Sequence, residues 1–135
     1  MVPLVLDASA AINIVLRSDR AGWLSSKLES SATVSVPDLF CPEVANTLWK
    51  YVRSGLLSRE DALERYETAV RLADHFFSTE ELTVEALAEG IQHSHAIYDL
   101  TYAVLARRTG SSVLTADRSF ARLLEKMNVP VLLAP

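Results

Sequence analysis

Short apolar runs alternate along the chain with longer stretches in which apolar residues recur at helical spacing. Runs that are apolar at successive positions and end in turn residues or acids are typical of strands buried on both faces of a sheet. Five segments have this pattern, and we predict strands over residues 2–6, 32–37, 75–79, 111–116 and 129–134.

The stretches between these runs have the sequence features of helix starts and helix ends. Pro42 and Glu43 stand where a first helical turn is expected, Gly55 ends the same stretch, and Ser58 and Asp61 have the spacing of a capping box. We predict helices that begin near residues 8, 20, 41, 58, 83, 98 and 117. Strands that alternate with helices indicate an α/β fold on a parallel sheet, and the length fits one domain over residues 1–135.

Composition and charge narrow the class of protein further. The one cysteine, Cys41, excludes an internal disulfide framework. No apolar run reaches the roughly 20 residues that span a bilayer, and no basic region precedes the first apolar stretch, so we expect a cytoplasmic protein without membrane contact. The net charge of −4 argues against a generally basic nucleic-acid-binding surface. Carboxylates that bind cations would still allow a phosphate-bearing substrate.

Four acids stand at the openings of predicted helices. Asp7 and Asp117 each follow an apolar strand directly, Glu43 lies in the first turn of its helix, and Asp99 begins the nearly apolar helix "LTYAVLA". Parallel α/β sheets bind ligands at the carboxyl ends of their strands. We therefore expect Asp7 and Asp117 to lie on the same edge of the sheet.

Each of these acids alone is also explained as a helix N-cap or first-turn carboxylate, a position that the helix dipole favours. Four carboxylates at one edge would repel one another, and such a set is tolerated where cations lie between them. Oxygen ligands without histidine or cysteine suit Mg²⁺ or Mn²⁺ rather than zinc. The chemistry that such a site supports is hydrolysis of a phosphodiester.

Four segments, "LVLDASA", "PEVANTLW", "YDLTYAVLA" and "VLTADRSF", resemble in order and spacing the acidic motifs of PIN-domain ribonucleases. Within that family the chain is similar to the VapC toxins of bacterial and archaeal VapBC toxin–antitoxin modules. The resemblance extends over the whole chain. It implies that the catalytic and metal-binding acids are Asp7, Glu43, Asp99 and Asp117.

The same resemblance implies a PIN-like α/β fold, with a five-stranded parallel sheet flanked by helices, and an endoribonuclease that depends on Mg²⁺ or Mn²⁺. Such proteins are usually homodimers and are held inactive by a VapB antitoxin, which also binds the operator DNA. Two hydroxyl residues of the family match Ser9 and Thr115, which we assign to substrate binding. Some members carry a further acid where Ser119 stands here, which predicts a weakly held second metal ion.

Other polar residues are candidates for supporting roles. Arg118 follows the fourth acid and is a candidate phosphate contact. Asn46 lies one helical turn after Glu43, where it would either orient that carboxylate or be solvated. His93 and His95 precede Asp99, and we interpret them as surface or helix-end histidines rather than as a general base.

Three other functions fit parts of the pattern. A catalytically inert PIN-fold binding module would be indicated by the loss of one acid, and all four are present. A receiver-type phosphoacceptor domain needs adjacent acids after the first strand and a lysine after the last, and neither stands there. A phosphatase with Asp7 as nucleophile would carry a second acid at position 9, which is Ser9. The sequence therefore favours the metal-dependent ribonuclease.

Overall fold

Five parallel strands form a single sheet in the computed structural model, which describes residues 1–135. The strands are β1 (Leu4–Leu6), β2 (Val34–Pro37), β3 (His75–Phe77), β4 (Ser112–Thr115) and β5 (Val131–Leu133). Their order across the sheet is β3-β2-β1-β4-β5. The predicted five-stranded parallel sheet is confirmed. A receiver-type fold has its second strand at the edge, in the order 2-1-3-4-5, so this sheet excludes that alternative.

Seven helices cover the sheet, and each corresponds to a predicted helix. They are α1 (Ala8–Val15), α2 (Ala21–Glu29), α3 (Phe40–Arg53), α4 (Arg59–Arg71), α5 (Thr79–His93), α6 (Ile97–Thr109) and α7 (Arg118–Lys126). The predicted ends are correct where local chemistry sets them. Ser58 accepts a hydrogen bond from the Asp61 N–H at 3.0 Å, and Gly110 ends α6 in the left-handed region with φ 64°.

The first strand lies in the middle of the sheet and is buried along its whole length. Leu6 is in register with Leu114 of β4, so the two strands end side by side. The backbone N–H of Asp7 continues this pairing by donating to the Leu114 carbonyl at 3.2 Å. Asp7 and Asp117 therefore follow neighbouring strands on one edge, as predicted from the two apolar runs.

The apolar segment of α6 forms the centre of the core. All residues from Leu100 to Ala106 are buried, and the helix lies against β1, β2 and β4. The predicted deep burial of this helix is confirmed, and it places Asp99, in the first turn of α6, at the same end of the sheet as Asp7. No helix in the structure has the length and apolar character needed to cross a membrane.

One boundary differs clearly from its prediction, because α5 begins at Thr79 rather than near residue 83. The extra turn is held by contacts from a distant segment. Asp38 accepts a hydrogen bond from the Thr79 N–H at 3.1 Å, and the Thr79 hydroxyl accepts one from the Leu39 N–H at 2.9 Å. Neither partner is visible in the local sequence around residue 79.

Candidate active site

The four acids predicted from the sequence line one polar cavity at the carboxyl end of β1. Its volume is about 340 Å³. Helices α1, α3 and α6 and the start of α7 supply its walls. The lining residues are Asp7, Ala8, Ser9, Ile12, Asn13, Glu43, Thr47, Asp99, Tyr102 and Asp117.

Asp7 is the most deeply buried of these acids, with only 5% of its surface exposed. Its Oδ1 accepts hydrogen bonds from the Ala10 N–H and the Ser9 hydroxyl, both at 2.8 Å, and its Oδ2 accepts one from the Thr115 hydroxyl. The side chain therefore does cap α1, as the simplest interpretation of the sequence required. Burial nevertheless raises the pKa of Asp7 from 3.8 to about 7, against the lowering effect of these hydrogen bonds.

Ser9 and Thr115 connect Asp7 to the strand that carries the fourth acid. Thr115 also accepts a hydrogen bond from the Asp117 N–H at 3.0 Å, and Ser9 accepts one from the Ala116 N–H at 3.1 Å. Thr115 is completely buried, and its hydroxyl is used to orient the Asp7 carboxylate. Ser9 is partly exposed and lines the cavity, where a substrate can reach it.

Glu43 enters the cavity from the first turn of α3 and is held by Tyr102, a residue not predicted from the sequence. The Tyr102 hydroxyl, on α6, donates a hydrogen bond to Glu43 Oε1 at 2.5 Å. Burial raises the pKa of Glu43, this hydrogen bond opposes the rise, and the charge of Asp99 adds to it. The signal for Tyr102 was its place one helical turn after Asp99, because a buried tyrosine usually finds a partner for its hydroxyl. Asn46, for which a contact to Glu43 and a solvated position were both predicted, is exposed and lines a different cavity.

Asp99 and Asp117 complete the cavity. Burial raises the pKa of Asp99, the facing His95 lowers it, and the charge of Asp117 raises it again. His95 Nε2 lies 3.7 Å from Asp99 Oδ2. Asp117 is exposed and caps α7 by accepting hydrogen bonds from the Ser119 and Phe120 N–H groups. His93 pairs with Glu89 at 3.2 Å, outside the cavity.

Two arginines lie near Asp117: Arg118, which was predicted from the sequence, and Arg20, which was not. Arg118 is exposed at the start of α7 and does not line the cavity. Arg20, which precedes α2, donates a hydrogen bond to the Ala116 carbonyl at 3.1 Å and so brings a positive charge to the residue before Asp117. No motif near Arg20 indicates this contact, because 96 residues separate Arg20 from Ala116.

The cavity has the chemistry of a site for a hard cation, although its side chains do not form a ready-made ligand cluster. No three carboxylate, imidazole or thiol groups are arranged to hold one ion together. The oxygens of Asp7, one oxygen of Glu43 and one of Asp117 accept hydrogen bonds from the protein instead. The pKa values of Asp7, Glu43 and Asp99 are raised first by burial and to a smaller extent by a neighbouring carboxylate, and a divalent cation would offset both effects. The donor set therefore fits Mg²⁺ or Mn²⁺, and binding requires some of these side chains to turn.

The buried tyrosine gives a direct stability prediction. We expect Tyr102→Phe to lower the free energy of unfolding at pH 7 by roughly 1–3 kcal/mol, because it leaves the half-buried Glu43 carboxylate without its donor. Urea unfolding followed by circular dichroism measures the change. Tyr51→Phe is the control, since it removes a hydroxyl on α3 outside the cavity and should change stability by less than about 0.5 kcal/mol. Equal stability of the two variants would contradict the role of Tyr102.

Comparisons with known proteins agree with the geometry. The family model described as the PIN domain matches residues 4–126. The chain is 33% identical over 131 residues to Ribonuclease VapC3 of Pyrobaculum aerophilum, a match that covers 94% of this chain and 98% of that protein. The match therefore spans nearly the whole length of both proteins.

Solved structures share the fold at low sequence identity. The VapBC2 structure from Rickettsia felis, bound to a DNA fragment from its promoter, has a TM-score of 0.69 at 15% identity and covers 98% of this chain and 99% of that one. VapC20 of Mycobacterium tuberculosis, described as a toxin that cleaves the sarcin–ricin loop, has a TM-score of 0.67 at 18% identity, with coverage of 88% and 93%. These likenesses support the fold.

Proposed function

Because the chain belongs to the PIN-domain family and to its VapC ribonucleases, we propose that it is a metal-dependent endoribonuclease and the toxin of a type II toxin–antitoxin pair. The single observation that carries the proposal is the cavity in which Asp7, Glu43, Asp99 and Asp117 meet at the end of the central strand. The reaction is hydrolysis of an RNA phosphodiester.

The four acids are the proposed ligands of Mg²⁺ or Mn²⁺. When bound, such an ion activates water and neutralises the charge that develops on the phosphate. The residues around the acids fix their direction: Ser9 and Thr115 hold Asp7 from two sides, and Tyr102 holds Glu43. Ser9 and Arg118 are the proposed contacts to the RNA phosphates, together with Arg20 on the Asp117 side.

The raised pKa of Asp7 makes ion binding dependent on pH. With a pKa of about 7, Asp7 is only half ionised at neutral pH in the metal-free protein. A cation must displace the remaining proton, so we expect its apparent affinity to rise as the pH is raised from about 6 to about 8. The proton on Asp7 neutralises one of the four acids and so stabilises the cavity in the absence of an ion.

The proposed partners follow from the family. A VapB-type antitoxin would inhibit the nuclease, and operator DNA would be bound only through that antitoxin. We also propose a homodimer in the cytoplasm. An exposed apolar stripe on α5, formed by Val84, Leu87 and Ile91, supports self-association, because monomers seldom leave such a stripe uncovered.

The test is an RNA cleavage assay with the purified, antitoxin-free chain. Total bacterial RNA is incubated with Mg²⁺ or Mn²⁺, with excess EDTA, and with EDTA followed by excess Mn²⁺. We expect discrete cleavage products with either ion, no products with EDTA, and recovery on readdition of Mn²⁺. Cleavage that persists undiminished in EDTA would overturn the metal mechanism. An absence of cleavage with both ions would overturn the nuclease and favour an inert binding module.

A further inference from the structure

A second cavity opens beside the carboxylate cavity and shares Glu43 with it. Its volume is about 280 Å³, and its other lining residues are Leu39, Pro42, Asn46 and Tyr98. The two cavities therefore form one continuous surface across the start of α3 and α6. They differ in chemistry, because Glu43 is the only charged residue of the second cavity.

Tyr98 is placed as a binding residue rather than as part of the core. It precedes Asp99 in the chain, and 65% of its surface is exposed although it lies within a helix beside the core. Its backbone is fixed, since the Tyr98 carbonyl accepts a hydrogen bond from the Thr101 hydroxyl at 2.7 Å. An exposed aromatic ring on a rigid helical turn loses little conformational freedom when a flat ligand stacks on it.

Asn46 faces the same cavity from α3, one helical turn after Glu43. It is exposed, and Glu43 takes its hydrogen bond from Tyr102 instead of from this amide. The Asn46 amide therefore offers both a donor and an acceptor to a ligand. Leu39 and Pro42 add apolar surface beside it.

A nucleotide combines an anionic phosphate with a neutral base, and the two cavities differ in a corresponding way. Its phosphate is anionic and needs cations, which the four acids would supply by binding metal, whereas its base is neutral, flat and rich in donors and acceptors. A phosphate in the second cavity would meet the Glu43 carboxylate with no cation from the lining residues. Proteins that recognise unpaired RNA stack its bases on aromatic side chains and read their edges with polar groups.

We propose that the second cavity binds the base of the nucleotide next to the scissile phosphate, with Tyr98 stacking on the base and Asn46 hydrogen-bonding to its edge. This assignment rests on the proposed ribonuclease function and gives that nuclease a source of sequence preference. Tyr98 supplies affinity for any base, and Asn46 discriminates among bases.

The test uses a short synthetic RNA that spans one cleavage site mapped in total bacterial RNA with Mn²⁺. We expect Tyr98→Ala to lower kcat/KM by roughly 10- to 100-fold, and Tyr98→Phe, which keeps the ring, to stay within about threefold of the parent. An RNA with an abasic site beside the scissile phosphate should be cut equally slowly by the parent and by Tyr98→Ala, because both changes remove the same stacking contact. Asn46→Ala should flatten the preference among the four bases at that position.

Trp49→Ala is the matched control, because Trp49 is an exposed aromatic residue on α3 that lines a different groove, between α3 and α4. It should leave cleavage of both RNAs unchanged. A direct measurement uses 2-aminopurine in place of the base beside the scissile phosphate, bound to the inactive Asp7→Asn variant. Its fluorescence should be quenched on binding, and adding Tyr98→Ala should abolish the quenching.

The outcomes separate this inference from the function on which it rests. If the parent cuts RNA and Tyr98→Ala cuts both the intact and the abasic RNA at the parental rates, the base-binding assignment is overturned and the nuclease stands. If Tyr98→Ala loses only inhibition by an antitoxin peptide, the cavity binds peptide and the assignment is likewise overturned. If the parent cuts no RNA with Mg²⁺ or Mn²⁺, both proposals are overturned.

Discussion

Asp7→Asn is expected to abolish RNA cleavage, with a loss of at least roughly 100-fold in kcat/KM, while leaving the fold intact or more stable. Asparagine keeps the size of the side chain and its hydrogen-bond acceptor for the Ala10 N–H, and it is as good a helix cap as aspartate. It cannot supply the anionic oxygen that a Mg²⁺ or Mn²⁺ ligand needs. Cleavage of total bacterial RNA with Mn²⁺ and growth inhibition on expression in a bacterial host measure the loss.

The same substitution, which abolishes cleavage, is expected to increase the stability of the metal-free protein. The folded chain holds a proton on Asp7 up to about pH 7, whereas the unfolded chain releases it near pH 4. The folded state therefore binds more protons between these values, and its stability falls as the pH rises from about 4 to about 7. Asparagine does not titrate, so Asp7→Asn removes this loss of stability at high pH. The melting temperature of the variant in EDTA at pH 8 should therefore exceed that of the parent by several degrees.

Melting curves with EDTA and with Mn²⁺ should also converge in Asp7→Asn, because a ligand stabilises a protein only through its affinity for the folded state. The control is Asp61→Asn, which changes an exposed acid on α4 and should behave like the parent in RNA cleavage, growth inhibition and melting.

Asp99→Asn should lose RNA cleavage and growth inhibition, as Asp7→Asn does. If Asp7→Asn melts at a lower temperature than the parent in EDTA and is stabilised as much by Mn²⁺, Asp7 is only a helix cap and not a metal ligand.

Gly90→Ala is expected to destabilise the protein by roughly 1–3 kcal/mol, although alanine is the better helix former by about 1 kcal/mol. A Cβ at Gly90, within α5, would lie 2.5 Å from Ile97 Cδ1 and 2.9 Å from the His95 carbonyl oxygen. The isoleucine side chain can turn away, but the carbonyl belongs to the tight connection between α5 and α6. That connection is further fixed by the His95 N–H, which donates to the Gly90 carbonyl at 3.1 Å.

The strain at Gly90 should reach the active site, because His95 and Asp99 are joined across the same connection. We therefore expect Gly90→Ala to lower RNA cleavage as well as the free energy of unfolding measured in urea. Gly22→Ala is the matched control, since Gly22 lies in α2 with no atom within 4 Å of an added Cβ. It should be stabilising by up to about 1 kcal/mol. If Gly90→Ala has the same free energy of unfolding as the parent, the His95 carbonyl can move away from the added Cβ and the prediction is wrong.

The parts of the structure that sequence predicts are those set by local chemistry. The strand β1 is apolar along its whole length and is followed directly by Asp7, whereas β4 contains the apolar pair Val113 and Leu114 and ends two residues before Asp117. The placement of both acids on one edge followed from these neighbours alone. Helix ends at Gly110 and Ser58 were likewise fixed by residues within one turn. The central burial of α6 was predicted because its residues are apolar on all sides.

The parts that sequence did not predict depend on partners far along the chain. Tyr102 lies within the apolar segment of α6, and only the fold brings its hydroxyl to Glu43, 59 residues away. The first turn of α5 depends on Asp38, 41 residues before Thr79. Thr115 matched a hydroxyl position of the family, but whether it touches substrate or Asp7 depends on its burial, which a motif does not reveal.

The central place of β1 determines when the active site can form during synthesis. Asp7 emerges first, but the strand that flanks it on one side, β4, begins at Ser112, and the Thr115 hydroxyl that holds Asp7 comes 108 residues later. Contacts of such long sequence separation close slowly, because the chain must first lose the entropy of the intervening loop. Until β4 pairs with β1, Asp7 remains solvated and Asp117 has no strand to place it. A nascent chain that lacks β4 therefore has no carboxylate cavity, and the nuclease becomes competent only after β4 and Asp117 have been translated.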